Sequence, residues 1–279
     1  MSSLIRILTD SSCDFTSQDY EKLNIEYIDL KVSIHNKEYT QKELNSKDFY
    51  KLLETCKELP KTSQPSLQEF VTIFEDVKRK KETMIVILIS SELSGTYQAA
   101  KLAKESVGYD AIYIIDSKTT VGALQILLYE SVKLRNNGVD AQKIVETIEK
   151  LKEKIVLYAI VDTLKYLKMG GRLSASSAMI GEILKIKPLI TIDGKVKTIA
   201  KGIGLKHASE KIENHIKQIP IDYDYPIILG YSAQTRALNI LKEKIQPLIE
   251  NQQVHIFSLG PVVGTHIGPN ACAIIYVKK

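Results

Sequence analysis

Small hydroxyls, glycines and one histidine are concentrated in three short segments that lie far apart in the 279-residue sequence. They are Thr62-Ser63-Gln64-Pro65-Ser66, Ser94-Gly95-Thr96 and His266-Ile267-Gly268-Pro269-Asn270. None of them contains an acidic cluster, a set of metal ligands or a phosphate-binding loop. If the fold brings the segments together, their O–H and N–H groups would bind one small anion, such as a carboxylate. The segments therefore predict a site for an acidic ligand rather than a catalytic centre.

Two of the three segments precede predicted helices. Ser94-Gly95-Thr96 lies between a predicted strand and a helix, where free backbone N–H groups and the positive end of the helix dipole suit an anion. Gly95 would let a ligand oxygen approach the backbone closely. Thr62 and Ser63 stand before another predicted helix start. In both places, helix capping and turn formation alone also explain the residue types.

Three further polar residues are candidates for the same site. His266 is predicted to lie in a loop between two strands, where it would hydrogen-bond a ligand or face solvent. Arg172 follows Gly170-Gly171 and would hold an anion, contact a partner protein or remain a surface side chain. Asp10 and Asp116 each end a predicted strand, where an aspartate orients hydroxyls of a site or forms a turn.

Composition and motifs argue against several other functions. The net charge is only +5, and the densest basic run, Lys78-Arg79-Lys80-Lys81, is flanked by acidic residues, as at the end of a solvated helix. No broad basic stripe or nucleic-acid motif is present, so we expect no nucleic-acid partner. The other four histidines have no ligand spacing, which argues against a metal. The sequence also lacks a P-loop, a dinucleotide fingerprint and a nucleophile elbow, and we expect no cofactor.

The cysteines and the apolar runs predict a cytoplasmic protein. Cys13, Cys56 and Cys272 are widely spaced and odd in number, which is typical of reduced thiols and not of a disulfide framework. The apolar run at the N-terminus is too short for a signal peptide. No apolar stretch approaches the 18 residues or so that would span a membrane.

The order of predicted elements indicates an α/β protein with two α/β domains. In residues 1–155, short apolar strands alternate with helical patterns, which predicts a mostly parallel sheet covered by helices. Residues 156–279 combine a hairpin at Asp193-Gly194 with further strand–helix units, which predicts a mixed sheet. Ligands of parallel sheets bind outside the carboxyl ends of the strands. Asp10, the Ser94 segment and Asp116 are all predicted at such ends.

Taken together, these segments resemble the DegV family, the fatty-acid-binding proteins of bacterial fatty acid kinase systems. The resemblance runs over nearly the whole chain, and the order and spacing of its markers make it specific. The markers are Thr9-Asp10-Ser11-Ser12, Thr62-Ser63-Gln64-Pro65, Leu93-Ser94-Gly95-Thr96-Tyr97, Tyr166-Leu167, Gly170-Gly171-Arg172-Leu173-Ser174, Ile186-Lys187-Pro188 and Gly264-Thr265-His266-Ile267-Gly268-Pro269.

The resemblance implies two α/β domains with a long acyl chain, such as palmitate, stearate or oleate, buried between or beneath them. It implies that the residues matching Thr62, Ser94 and His266 hydrogen-bond the fatty acid carboxylate. A separate fatty acid kinase would then phosphorylate that carboxylate to an acyl phosphate for phospholipid synthesis, so the chain itself would have no catalytic activity. A transient contact with a membrane surface is also expected.

Two details of the sequence bear on this resemblance. The family often has glycine after the His-x-Gly-Pro segment, whereas this chain has Asn270, a residue that tolerates a left-handed backbone. Between Lys197 and Lys201, where the family often carries several basic residues, Ile199 and Ala200 interrupt the run.

Two alternative functions and one structural question stay open at this point. Ser94 as nucleophile, His266 as base and Asp10 or Asp116 as orienting acid would make a serine-dependent acyl hydrolase or transferase, although the nucleophile elbow is missing. A lipid sensor without a kinase partner is the second alternative. The apolar segments Ala123–Tyr129 and Met179–Leu184 would line a tunnel, but packing in the core explains them equally well.

Overall fold

The computed structural model describes residues 4–173 and 185–279, which fold into an α/β architecture with three β-sheets. The predicted fold class is confirmed. The sequence pattern also predicts a short helix over residues 175–184. That segment lies outside the described residues, and so do the candidate tunnel residues Met179–Leu184.

The first sheet is parallel throughout, as predicted for this half of the chain. Its strands are β1 (Ile5–Asp10), β2 (Glu26–Ile28), β6 (Thr83–Leu88) and β7 (Ile112–Asp116). Their order is β2-β1-β6-β7. The carboxyl ends of neighbouring strands meet at one edge, where the Asp10 carboxylate accepts a hydrogen bond from the Ile89 N–H at 2.7 Å.

Six α-helices occur among the described residues of this half of the chain, and helices cover both faces of the sheet. They are α1 (Ser17–Leu23), α2 (Ser46–Thr55), α3 (Leu67–Lys80), α4 (Thr96–Val107), α5 (Val121–Asn136) and α6 (Ala141–Lys152). A capping box starts α3, because Ser66 and Glu69 each accept a hydrogen bond from the other's backbone N–H. Helices α3 and α4 pack side by side over one apolar face of the sheet.

A small antiparallel sheet carries the first candidate hydroxyls. Its strands are β3 (Lys31–Ile34), β4 (Lys37–Tyr39) and β5 (Lys61–Ser63), in the order β4-β3-β5. The sequence predicts only a turn and a helix start around Thr62 and Ser63, because a three-residue strand is too short for a periodic pattern. Pairing with β3 fixes both residues in extended backbone.

The third sheet has six strands of mixed direction, as predicted for the second half. Its strands are β8 (Ile155–Ile160), β9 (Ile186–Asp193), β10 (Lys195–Ile203), β11 (Ile227–Tyr231), β12 (Val254–Ser258) and β13 (Cys272–Val277), in the order β10-β9-β8-β13-β11-β12. The predicted hairpin joins β9 to β10 through Gly194, whose φ of 70° lies in the left-handed region that favours glycine.

Four helices belong to the described residues of this second half. They are α7 (Lys165–Met169), α8 (Gly204–Gln218), α9 (Arg236–Ile249) and α10 (Pro261–Ile267). Helices α8 and α9 cover one face of the mixed sheet with a buried apolar cluster. The other face packs against α5.

Helix α5 is buried between the two large sheets, which agrees with its predicted burial. It contacts β1 and β6 of the parallel sheet and β8, β11 and β13 of the mixed sheet. The main core cluster therefore contains side chains from both halves of the chain, including Ile87, Leu124 and Ile275. The division into domains 1–155 and 156–279 stays a prediction.

The placement of His266 corrects one expectation. The sequence predicts a loop between strands, but residues Pro261–Ile267 form helix α10. Gly260 caps the helix and Pro261 occupies its first turn, where proline has no N–H to lose. The helix ends at Gly268, whose φ is 74°. The glycines and prolines that suggested a loop are thus the two ends of a short helix.

Candidate ligand-binding site

A cavity of about 310 Å³ lies where β5, the loop after β6, the β9–β10 hairpin and α10 meet. This volume falls at the lower end of the roughly 300–1,000 Å³ that small-molecule sites occupy. The described residues around it are Leu30, Thr62, Ser63, Gln64, Ile89, Leu93, Ser94, Gly95, Thr120, Leu167, Arg172, Ile192, Val196, Val262, Val263, His266 and Ile267. None of these lining residues is acidic, and Arg172 is a cation, so the cavity favours an anion over a cation.

The fold brings together most of the residues that the sequence singled out. Six of the eight predicted site residues line the cavity, and they are Thr62, Ser63, Ser94, Gly95, Arg172 and His266. The other two, Thr96 and Asp10, do not border it and are fully buried nearby.

His266 and Thr62 form a hydrogen-bonded pair beside the cavity. The Thr62 hydroxyl lies 2.8 Å from Nε2 of His266. Among the described residues, Nδ1 of His266 is buried without a hydrogen-bond partner, and the charge of Arg172 acts on the ring. A lone pair on Nδ1 is favoured beside a cation, which places the proton on Nε2. Nε2–H then donates to Thr62, and the Thr62 hydroxyl hydrogen is left to donate into the cavity.

The imidazole is neutral at physiological pH. Burial lowers the pKa of His266 to about 4, and the nearby guanidinium of Arg172 contributes to the same shift. A neutral ring supplies a single N–H. Because that N–H is given to Thr62, His266 orients the Thr62 hydroxyl toward the cavity, and Arg172 is the cation among the described lining residues.

Ser94 and Gly95 place the start of helix α4 against the cavity. Gly95 is the N-cap and supplies no side-chain cap, so the dipole of a 12-residue helix begins at the cavity wall. The Ser94 hydroxyl lies 2.8 Å from that of Thr96 and also accepts from the Thr96 N–H at 3.4 Å. With Thr96 as donor in this pair, the Ser94 hydroxyl is free to donate to a ligand. Thr96 thus acts behind Ser94, as an orienting group.

Arg172 is held by backbone carbonyls. Its Nε donates to the Leu93 carbonyl at 3.1 Å, and Nη1 donates to the Gly170 carbonyl at 2.6 Å. These two bonds tie the segment after α7 to the loop that carries Ser94. They fix the guanidinium at the cavity without an acidic partner among the described residues.

Gly170 provides the surface against which the His266 ring packs. A Cβ atom at position 170 would collide with Nδ1 of His266. Gly170 has an ordinary φ of −75°, so its lack of a side chain is required by space and not by backbone conformation. The neighbouring Gly171 is the opposite case, with a φ of 70° and no atom within 4 Å of the place that a Cβ atom would occupy.

The two strand-end aspartates serve the edge of the parallel sheet. Asp10 accepts from the backbone N–H groups of Ser12 and Ile89, at 3.0 and 2.7 Å. Asp116 accepts from Ser91 and pairs with Lys118 at 2.9 Å. Their carboxylates are therefore occupied with local backbone and surface groups. Asp10 holds the loop after β6 and does not border the cavity, and its contribution to ligand binding stays a prediction.

The apolar part of the cavity was not predicted from the sequence. Leucine, isoleucine and valine side chains from six separate segments form it, and each is an ordinary core residue in its own segment. The candidate lining segment Ala123–Tyr129 does not border this cavity. It is part of α5, and its residues 123, 124 and 126–128 are buried in the main core. Gln64 borders the cavity too, with its side chain against Gly95.

Sequence comparison assigns the chain to a family. The model of the DegV family, described as uncharacterised proteins, matches residues 4–279. The chain therefore belongs to the DegV family.

Individual relatives agree with this assignment. A DegV domain-containing protein of Caldanaerobacter subterraneus subsp. tengcongensis is 31% identical over 278 residues, which covers 99% of both chains. The crystal structure of Bacillus subtilis DegV, described as a fatty acid binding protein, has 29% identity, a TM-score of 0.83 and full coverage of both chains. A fatty acid binding DegV family protein of Streptococcus agalactiae has 27% identity, a TM-score of 0.85 and full coverage of both chains.

Two other kinds of feature are absent from the part of the chain that the structure describes. No described helix is long and apolar enough to cross a membrane. Within residues 4–173 and 185–279, no group of three or more His, Cys, Asp or Glu side chains is arranged to hold a metal ion.

Proposed function

We propose that this chain binds a long-chain fatty acid and presents its carboxylate to a separate fatty acid kinase. The observation that carries the proposal is the convergence of Thr62, Ser94, His266 and Arg172 on a cavity whose remaining lining is largely apolar and contains no acid. The fatty acid binding described for the B. subtilis and S. agalactiae relatives supports the choice of ligand.

The polar residues match the needs of a carboxylate. A buried carboxylate must be paired or hydrogen-bonded, since desolvation alone is costly. The hydroxyls of Thr62 and Ser94 donate to its oxygens, and the N-terminus of α4 adds the positive end of a helix dipole. Arg172 supplies long-range charge from its anchored position.

The apolar residues match the needs of an acyl chain. Each buried methylene contributes about 0.8 kcal/mol, so roughly sixteen of them give about 13 kcal/mol before the costs of association and ordering. Palmitate, stearate and oleate all fall in this range of chain lengths. The remaining free energy is sufficient for tight binding.

Phosphorylation is assigned to a partner because the sequence contains no P-loop or other nucleotide-binding motif. Ser63 and Gln64 border the cavity and are exposed, so the carboxylate would lie close to the protein surface. Hydroxyl donors hold an oxygen without neutralising it, which leaves the carboxylate nucleophilic toward an incoming phosphoryl group.

The arrangement does not favour the alternative of an acyl hydrolase. A serine nucleophile needs a base within hydrogen-bond reach. Here Ser94 pairs with Thr96, and His266 pairs with Thr62. The carboxylates of Asp10 and Asp116 are bonded to other groups. A sensor without a kinase partner would use the same site and is separated only by experiment.

Native mass spectrometry of freshly purified protein, followed by lipid extraction, tests the proposal. We expect one fatty acid per chain, and about tenfold weaker binding of added oleate to Thr62→Val and Ser94→Ala. Thr72→Ala is the matched control, because the exposed Thr72 hydroxyl bonds only to the Gln68 carbonyl on α3. A protein that is empty and ignores added fatty acids would refute the proposal.

Two further assays separate the three functions. Steady hydrolysis of acyl esters by the pure protein, abolished in Ser94→Ala, would establish the hydrolase instead. Adding loaded protein and ATP to a bacterial fatty acid kinase should yield acyl phosphate. If the protein binds fatty acid but no kinase tested forms acyl phosphate from it, the result would favour a lipid sensor without a kinase partner.

A further inference from the structure

The buried carboxyl group of Asp14 lies at the start of helix α10, the helix that carries His266. Asp14 closes the short 3₁₀ turn Ser11–Cys13 with a left-handed backbone, at φ 58°. Its Oδ1 sits against Gly260, where a Cβ atom would collide with it, and the Gly260 N–H lowers the pKa of this carboxyl group. Gly260 is the N-cap of α10 and has no side chain with which to cap the helix.

Helix α10 depends on this contact more than a longer helix would. It has seven residues, and its two ends carry backbone bonds from the Gly264 N–H to the Gly260 carbonyl and from the Gly268 N–H to the Gly264 carbonyl, both 2.9 Å long. Along this helix, Val262, Val263, His266 and Ile267 face the cavity. A shift of the first turn therefore moves the whole wall that holds the histidine.

We propose that Asp14 is a positioning residue for the ligand site, which caps α10 from outside the helix and so fixes His266 against Thr62. This role rests on the proposed function, because it requires a ligand at the cavity, but the contact between Asp14 and Gly260 does not depend on that function. A carboxylate at a helix N-terminus satisfies a free N–H group and interacts favourably with the helix dipole. Asp14 supplies the capping carboxylate from a distant part of the chain. Position 260 must be glycine, because a Cβ atom there would collide with this carboxylate.

The cap is poised to respond to pH. Burial raises the pKa of Asp14 to about 7, while the Gly260 N–H lowers it and the charge of Asp10 raises it. The folded pKa lies above the ordinary value near 4, so the acid form persists to neutral pH and the stronger, ionised cap forms as pH rises through about 7. Ligand affinity should therefore increase across this window.

The other titratable groups near Asp14 do not compensate for its charge. Asp10, Cys13, Tyr20 and Tyr50 are buried and each interacts with it electrostatically. Asp14 also borders a second cavity of about 510 Å³, whose charged or titratable lining residues are Asp14, Asp19, Tyr20, Tyr27, Lys42, Tyr129 and His255. Within the described ranges, no residue forms a salt bridge with Asp14. Exposed residues such as Lys42 at this second cavity give water a route toward the carboxyl group.

Substitutions at both partners test the cap. Asp14→Gly removes the carboxyl group while keeping a residue that tolerates the left-handed backbone, and Asp14→Asn keeps an oxygen acceptor but cannot ionise. We expect oleate to bind Asp14→Gly at least tenfold more weakly than wild type at pH 8. Asp14→Asn should bind within threefold of wild type and show no change of affinity between pH 6 and 8.

Gly260→Ala attacks the same contact from the helix side, since φ at this position is −77° and only space forbids a side chain. It should weaken binding alone but add nothing to Asp14→Gly, because the collision is then gone. Binding by Asp14→Gly within threefold of wild type, equal loss in Asp14→Asn and Asp14→Gly, or additive losses in the double variant would each overturn the cap.

A ligand-free measurement keeps this test separate from the proposed function. The ring protons of His266 report its pKa in an NMR titration of the empty protein. In Asp14→Gly the ring loses its fixed, buried position, so this pKa should rise from about 4 toward its ordinary value. An unchanged His266 titration would contradict the cap whether or not the protein binds fatty acids.

Discussion

The Thr62 hydroxyl and Nε2 of His266 lie 2.8 Å apart although 204 positions separate them in the chain. One residue belongs to the short strand β5 and the other to helix α10, and these elements pack directly on each other. The pair joins the small antiparallel sheet to the segment that precedes β13. The ligand site is therefore a product of tertiary packing, and its integrity depends on what holds α10 in place.

The space behind the His266 ring can be tested with two adjacent glycines. Gly170→Ala should displace the ring, because the new Cβ overlaps Nδ1 of His266. We expect roughly tenfold weaker fatty acid binding, which corresponds to the loss of one hydrogen bond to a charged group. Stability should fall by about 1–3 kcal/mol through overpacking alone, since φ at Gly170 is −75° and suits alanine. Isothermal titration calorimetry and urea denaturation measure the two effects.

Gly171→Ala is the matched control for this pair. The new Cβ meets no atom within 4 Å, but φ is +70°, which is strained for alanine. This variant should lose about 1–2 kcal/mol of stability and keep its affinity. If Gly171→Ala also lost affinity to the same degree as Gly170→Ala, the effect would belong to the loop and not to the ring.

The neutral state of His266 makes a definite contribution to acid stability. Its pKa in the folded protein is about 4, below the ordinary value of 6.5. Protonation therefore favours the unfolded chain: the stabilisation is fully present above pH 6.5 and is lost as pH falls toward 4. At about 1.4 kcal/mol per unit, the loss reaches about 3 kcal/mol.

His266→Gln removes this titration while keeping a neutral polar side chain. The variant should lose less stability than wild type between pH 7 and pH 4, as measured by urea denaturation at each pH. Parallel curves for the two proteins would show that His266 is not buried in its neutral form.

Much of this fold is readable from the sequence because its elements are long and periodic. The apolar alternation of strands and helices predicts the parallel sheet, and the Asp193-Gly194 turn predicts the hairpin. Asn270 has a left-handed backbone, at φ 63°, as its residue type allows. Each of these features is decided by local patterns.

The parts that escaped prediction are decided by tertiary contacts. Helix α10 is too short for a hydrophobic period, and its bordering Gly260 and Gly268 also suit a loop. Asp10 is a candidate ligand-binding residue in the sequence because it ends a strand. Only the fold shows that its carboxylate accepts a hydrogen bond from the Ile89 N–H. The contact between Gly170 and His266 is not predicted by any pattern in the sequence around either residue. The family resemblance, by contrast, selects Thr62, Ser94 and His266 as one set.

Arg172 acts on the pKa of His266 and on the affinity for the ligand, and one substitution tests both effects. Its guanidinium lowers the pKa of His266, but burial is the larger cause. In Arg172→Met the His266 pKa should therefore rise above about 4 and stay below 6.5, which NMR titration of the ring protons measures. Fatty acid affinity should also fall, and more at low salt than at high salt, because a charge is lost. A His266 pKa that does not move would place Arg172 too far away to act on the site.

Substitution of Asp10 tests whether this buried carboxyl group stabilises the fold or binds the ligand. It is 0% exposed and accepts from two backbone N–H groups, those of Ser12 and Ile89. Asp10→Ala leaves both donors buried without an acceptor, which costs about 2–5 kcal/mol of stability. Asp224→Ala, at an exposed turn, is the control and should change stability by less than about 0.5 kcal/mol. At pH 8, where Asp14 is ionised with or without Asp10, and at temperatures where Asp10→Ala is still folded, its affinity for oleate should match wild type, because the cavity does not include Asp10. A large loss of affinity in the folded variant would show that Asp10 acts on the ligand site, through the loop that connects β6 to Ser94.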